Sequence, residues 1–559
     1  MAIAQKQKKK TMARSSSQAS TAARRIGLSA AILTLAAATS SISQLTMAPV
    51  FGSMPSSANH IPMTSVSVLL GILLQATLKS RLPPHLANIL SVWAFWIPVM
   101  QTLVLHYSAD LDITAGPSLN GFISCYSVQI LAAYAVAEVL GGRPNGSSVS
   151  SIVRYSIASV LILIAFTILQ TNLSSPVAGV LSRMPMLTPV HLQIGVAASY
   201  AILLPSRYWL ALPALAHTAY WNPHFRSSLG EDLLRSHNWT LVDRKWSNTG
   251  YISVLDNSDL QYRLLRADHS LLGGEWLLTT NRKEKEGWLV PESVYAVFSI
   301  LESVRLLRLT PEVPETQAQA LVIGLGIGTA PKALISHGIN TTIVELDPVV
   351  HSFATQYFGL PTNHTAVLQD AVSWVSSASS TGGIHYDYII HDVFTGGAEP
   401  LSLFTASFLK NLRSLLTPNG AVALNYAGDL SLPLTKLVIN TINIVFKGQC
   451  KIFRDSPLEA KNQLNSDQEE DFLNMVIFCR NTPGPISFRR PVKADFLGSK
   501  SREHYMLPKA ELEIQFPRQD SRVLDDGDEE GWSGQQAESA KRHWRIMRKV
   551  LPDVVWELW

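Results

Sequence analysis

Cysteine is scarce. Cys125, Cys450 and Cys479 are the only three in 559 residues, and they are scattered. That pattern suits neither a disulfide framework nor a zinc cluster, so no bridge and no metal are expected. A surplus of positive charge is also missing. The chain has 46 Lys and Arg against 42 Asp and Glu, a net +4. No basic stripe interleaved with aromatics runs through it, which argues against nucleic acid as a partner. Charge of either sign is almost absent from the apolar stretches of the first 220 residues. No stretch there holds the paired carboxylates of a proton or metal path, and Arg207 is the one charge well inside an apolar run.

A chain of this length calls for two or more domains. Residues 1–25 carry Lys6, Lys8, Lys9, Lys10, Arg14, Arg24 and Arg25 and read as a disordered basic tail. Residues 26–221 read as a membrane domain of about six transmembrane helices: 26–50, 63–76, 86–105, 121–140, 155–169 and 192–220. Pro205, Arg207 and Pro213 interrupt the last, which is one kinked span or one span plus an interfacial segment. Buried helices of a large soluble protein are the competing reading. A lipid bilayer is therefore an expected partner, with this half serving as an anchor or as a cavity that delivers an apolar substrate. Lys79, Arg81, Arg143 and Arg154 alternate with Asp110 and Asp112 from loop to loop. Under the positive-inside rule this places the N-terminus in the cytosol, and six spans place the C-terminal half there too. A seventh span would reverse that. The sequons at Asn145, Asn172, Asn238, Asn340 and Asn363 are expected to be unmodified, because most fall on the cytosolic side of the six-span topology.

The second half alternates strands and helices. Residues 239–310 form a small antiparallel β domain with a linking amphipathic helix over 293–309. Within it, 266–276 reads as a polar, glycine-rich loop, either a solvated turn or a lid bearing Asp268. Residues 311–480 form an α/β domain organised around LVIGLGIGTAPKALISHGINTTIVELD, residues 321–347. An apolar strand leads to Gly324, Gly326 and Gly328, then to a helix and a second strand ending in Glu345. Glycine permits the sharp turn. An acid about 20 residues beyond the first glycine suits the ribose of a nucleoside held at the carboxyl end of a parallel sheet. Further strands end at Asp370 and Asp392, placing three acids at one crevice, and Asp370 is suited to an adenine amino group. Each alone is equally an ordinary helix cap or turn acid. Tyr426 and Asp429 sit beyond the fifth strand, where they complete the pocket or serve only packing and a turn. Residues 481–559 read as a peripheral extension.

On these residues the second half resembles the spermidine/spermine synthase family, and in particular membrane-attached members with several spans before the synthase-like domain. The resemblance covers roughly residues 239–480. It implies a class I methyltransferase-like, Rossmann-like fold preceded by a small β domain. It also implies decarboxylated S-adenosylmethionine as cosubstrate, bound by Gly324–Gly328, Glu345 and the Asp370–Ala371 pair, with Asp392 catalytic. The chain departs from the family where the chemistry is set. The usual GGGDG is GLGIG, with Ile327 in place of the Asp that holds the aminopropyl amine. Thr395 replaces a second Asp near the acceptor, and the usual Asp-Glu of the gate is Asp268–His269. Glu399 is a candidate substitute carboxylate.

Three functions compete. The first is aminopropyl transfer to a small amine. The second is methyl transfer from S-adenosylmethionine to an apolar or membrane-associated acceptor. The third is a non-catalytic membrane scaffold. Both transferases need a neutral acceptor aligned with a carbon on a cationic sulfur. A dehydrogenase is remote, since no second glycine motif or hydride-transfer site accompanies the first. Homodimerisation is left open.

Overall fold

The computed structural model describes residues 2–78, 81, 86–140, 149–393, 400–455, 472–516 and 521–559. The chain divides into two units, Met1–Leu233 with Asp553–Trp559, and Leu234–Pro552.

The first unit is helical. Among the described residues, five of its helices are long and apolar enough to cross a membrane: Ser20–Phe51, Ser53–Leu78, Leu86–His106, Ser108–Val139 and Val153–Arg183. They match the first five expected stretches. The sixth stretch is two helices, Pro189–Leu203 and Leu212–Trp221. The chain leaves helical geometry at Leu204, one residue before Pro205, as the residue preceding a proline is inclined to do. The unit is apolar outside and partly polar inside. Ile157, Leu161, Ile164 and Ile168 lie exposed along one face of a helix. Within, Ser40 bonds His60 at 2.7 Å, and Gln101 bonds Thr46 at 2.7 Å and Asn120 at 3.0 Å. Gln193 adds a bond to Gln101 at 2.7 Å.

The second unit holds two sheets. The smaller runs in the order β1 (Trp239–Ser247), β2 (Gly250–Asn257), β3 (Tyr262–Ala267), β4 (Ser270–Trp276), β5 (Glu292–Ser293). The expected loop over 266–276 is thus a β-hairpin. Asp268 takes a φ of 46° at its tip, and Gly273 and Gly274 lie within β4. The glycines there serve close packing, since a Cβ on Gly274 would lie 2.4 Å from Leu264. The linking helix is shorter than expected. It spans Ala296–Leu301 and tightens into a 3-10 turn over Glu302–Leu306.

The larger sheet comprises β6 (Gln319–Ile323), β7 (Asn340–Glu345), β8 (Thr365–Leu368), β9 (Tyr386–His391), β10 (Leu416–Asp429), β11 (Cys450–Arg454), β12 (Phe472–Arg480) and β13 (Glu513–Ile514). Its order is β13-β11-β12-β10-β9-β6-β7-β8. Strands β8, β7, β6, β9 and β10 are parallel, and β12 runs antiparallel to β10. This is the Rossmann-like methyltransferase fold. The sheet progresses outward from β6 in both directions, so the switch point lies between β6 and β9, where such sheets bind ligands.

Two expectations fail here. Cys450 and Cys479 form a disulfide. They are paired neighbours on β11 and β12, so the fold brings together residues 29 apart in sequence. The region 481–559 is not peripheral. Glu513–Ile514 closes one edge of the sheet, and the Arg502 guanidinium meets the fully buried Glu302 carboxylate through two bonds, at 2.7 and 2.9 Å. Its last residues, Asp553–Trp559, belong to the helical unit.

Candidate active site

The turn after β6 is built on left-handed backbone. Gly324, Gly326 and Gly328 have φ of 84°, 55° and 81°, angles that side chains disfavour. Space excludes side chains as well. A Cβ on Gly324 would lie 2.0 Å from the Asp392 carbonyl oxygen, and one on Gly326 would lie 2.4 Å from that of Leu272. The glycines therefore let the turn nest under the loop after β9 and against β4. They are needed by protein neighbours as much as by any nucleoside.

Glu345 ends β7 one strand away. Its Oε2 accepts from the Leu325 N–H at 3.0 Å and its Oε1 from the Asp347 N–H at 2.8 Å. The carboxylate is thereby locked beside the glycine turn with acceptor capacity to spare. Burial pushes it up to about 7, against the pull of these backbone bonds. A pair of hydroxyl donors is what this half-compensated carboxylate fits.

Asp370 is exposed and caps the helix Ala371–Thr381, accepting from the Ser373 N–H and hydroxyl, each at 2.8 Å. Ala371 is partly buried against the core. Asp392 follows β9. Its Oδ1 accepts from the Asn425 side-chain amide at 2.8 Å. Burial raises it to about 6, and the Asn425 bond opposes that rise. Glu345 and Asp392 thus flank the glycine turn at the ends of the two strands beside β6.

The remaining described candidates have other protein partners. Asp268 is buried in the hairpin turn, where it accepts from the Tyr251 N–H at 3.0 Å. Tyr426 faces the opposite side of the sheet from Asn425, by the two-residue period of a strand, and packs edge-on against Phe404. Asp429 is held by the Ser431 N–H and by Arg542. Glu399, with Thr395, lies outside the described residues. Ile327 is buried, and a Cβ on Gly273 would touch it at 2.9 Å.

Sequence reasoning missed Asn425 and Asp347. Asn425 was visible as the one amide in the apolar run of β10. Asp347 is fully buried and accepts from Ser247, Thr249, Val349 and Val350, so it caps a helix and ties the β1–β2 turn to the α/β domain. Its role depends on a partner 98 residues away, which no local pattern shows.

The family model for the spermine/spermidine synthase domain matches residues 308–453. Over 560 aligned residues the chain is 38% identical to the N-terminal histidine N-methyltransferase of Emericella nidulans, covering 96% of this chain and 98% of that one. Over 109 residues it is 36% identical to the polyamine aminopropyltransferase of Vibrio vulnificus, covering 19% of this chain and 36% of that protein. Among solved structures, human methyltransferase-like protein 13 in complex with SAH is similar at 24% identity and a TM-score of 0.28, over 41% of this chain and 94% of that one.

Proposed function

The chain belongs to one family with the N-terminal histidine N-methyltransferase of Emericella nidulans, and from that premise we propose that it transfers a methyl group from S-adenosylmethionine to a nitrogen of an N-terminal histidine. The carrying observation is the extent of that likeness. It runs through both units, whereas the aminopropyltransferase relative aligns over 36% of its own length. This reverses the order of preference drawn from the motif alone. Buried Ile327 supports the reversal, since it leaves no carboxylate where aminopropyl donors place their amine.

The residues present fit this cosubstrate. Glu345 would take the ribose hydroxyls, the backbone of Gly324–Gly328 would lie beneath, and Asp370 with Ala371 would receive the adenine. When bound, S-adenosylmethionine supplies a methyl carbon on a cationic sulfur. Asp392 accepts an N–H of the acceptor and so orients its lone pair toward that carbon. The Asn425 amide fixes the Asp392 carboxylate in place. With its value near 6, Asp392 is ionised at neutral pH and takes up the proton that the alkylated nitrogen releases. The exposed apolar faces of the long helices support a bilayer as the partner of the helical unit.

The test uses detergent-solubilised full chain, S-adenosylmethionine and two peptides differing only in whether histidine is first or second. Addition of one methyl mass to the histidine-first peptide alone is expected. Equal modification of both, or of neither, overturns the substrate reading.

A further inference from the structure

The place where the chain leaves the helical unit bears on which side of a membrane the α/β domain occupies. Helices 189–203 and 212–221 begin and finish at one end. The Thr188 hydroxyl, just before the first, donates to the His224 carbonyl, just after the second, at 2.8 Å. The pair is therefore an out-and-back excursion, whether it crosses fully or turns within the bilayer, and it leaves the chain on the side reached after five crossings. Contacts from other segments mark the same end. The Asn222 amide donates to Thr102 at 2.8 Å, in the last turns of Leu86–His106. The chain also returns there. Ser108 donates to the Glu557 carboxylate at 3.1 Å, His224 bonds the Glu557 carbonyl at 2.8 Å, and its ring stacks on Trp559 at 4.3 Å.

Charge separates the two ends. Arg24 and Arg25 open the first long helix; in sequence, Lys79 and Arg81 follow the second, Arg143 and Arg154 lie around the start of the fifth, and Arg207 lies between the last two. The exit end has fewer cations, Arg183 and, just after the last helix, Arg226, together with Asp110 and Asp112. The positive-inside rule assigns the basic end to the cytosol, so the exit end lies opposite. The Cys450–Cys479 bridge independently agrees, because disulfides persist in oxidising compartments and are rare in the cytosol. The sequons then become meaningful. Asn340 donates to Gln319 and Asn238 to Asp259, whereas Asn363 is exposed in the loop before β8. An exposed N-x-Thr in a surface loop is the form a glycan acceptor takes.

We propose that residues 234–552 face the oxidising lumen of the secretory pathway and that Asn363 carries an N-linked glycan. This replaces the cytosolic placement expected from six spans, and it stands whether or not the histidine reading holds. The test takes full chain tagged at both termini, in sealed microsomes of a eukaryotic host. External protease is expected to remove the N-terminal tag and to spare the C-terminal tag until detergent is added. Peptide N-glycosidase is expected to increase the mobility of the parent chain, and Asn363→Gln to abolish that change. Loss of both tags without detergent overturns the lumenal placement. Protection with no glycosidase shift, or a shift unaltered in Asn363→Gln, overturns the glycan assignment.

Discussion

At the residue scale the account rests on two carboxylates that burial holds well above their usual range. Glu345 is expected to bind the donor and not to act on the acceptor. Glu345→Gln retains size but turns an amide toward a backbone N–H. Hydrogen bonds to a charged group contribute about 1.5–3 kcal/mol, so donor affinity should fall roughly 10- to 100-fold by calorimetry, with the fold intact. Asp392 is expected to limit the rate at acid pH. It works ionised, so kcat/KM should decline as pH falls through about 6. The Asn425 bond favours the charged form, so its loss in Asn425→Ala should move the acid limb to higher pH, with roughly a threefold or greater loss at pH 6 and less above pH 8. An unmoved limb would mean that Asp392 does not set it.

At the scale of elements, much was legible. The five strands expected from Leu321 to Tyr426 all form, because each is a short apolar run bounded by turn residues and the glycine turn fixes where the first ends. The acids at strand ends were legible for the same reason. What was hidden depends on distant partners. Asp268 looked like a lid residue because its turn is polar, but it is buried and its carboxylate accepts from the Tyr251 N–H of the neighbouring strand β2. The segment around Arg502 looked peripheral because its sequence is mixed, yet it neutralises Glu302, 200 residues earlier. Removing one partner of a buried ion pair leaves an uncompensated charge. Arg502→Ala should therefore destabilise the α/β unit by about 3–5 kcal/mol, read as a lower thermal midpoint of the solubilised chain. A shift no larger than that of an exposed control such as Lys509→Ala would show the pair to be incidental.

At the scale of the molecule, the helical half was legible as long apolar runs, and its handling of polarity was not. Ser40, His60, Gln101 and Gln193 read from sequence as minor interruptions, whereas the fold gathers them inside. The interruption expected at Pro205 is a break into two helices, and the proposed side of emergence rests on it. Function was legible only as far as a nucleoside-dependent transferase. The glycine turn, Glu345 and Asp392 serve aminopropyl and methyl transfer alike, and only the departures at Ile327, Thr395 and His269 counted against aminopropyl transfer.

The most direct measurement offers the solubilised full chain equal amounts of ordinary and decarboxylated S-adenosylmethionine with a histidine-first peptide, and weighs the product. The account predicts one added methyl mass, absent in Asp392→Asn. An added aminopropyl mass would contradict it and return the chain to polyamine-type chemistry.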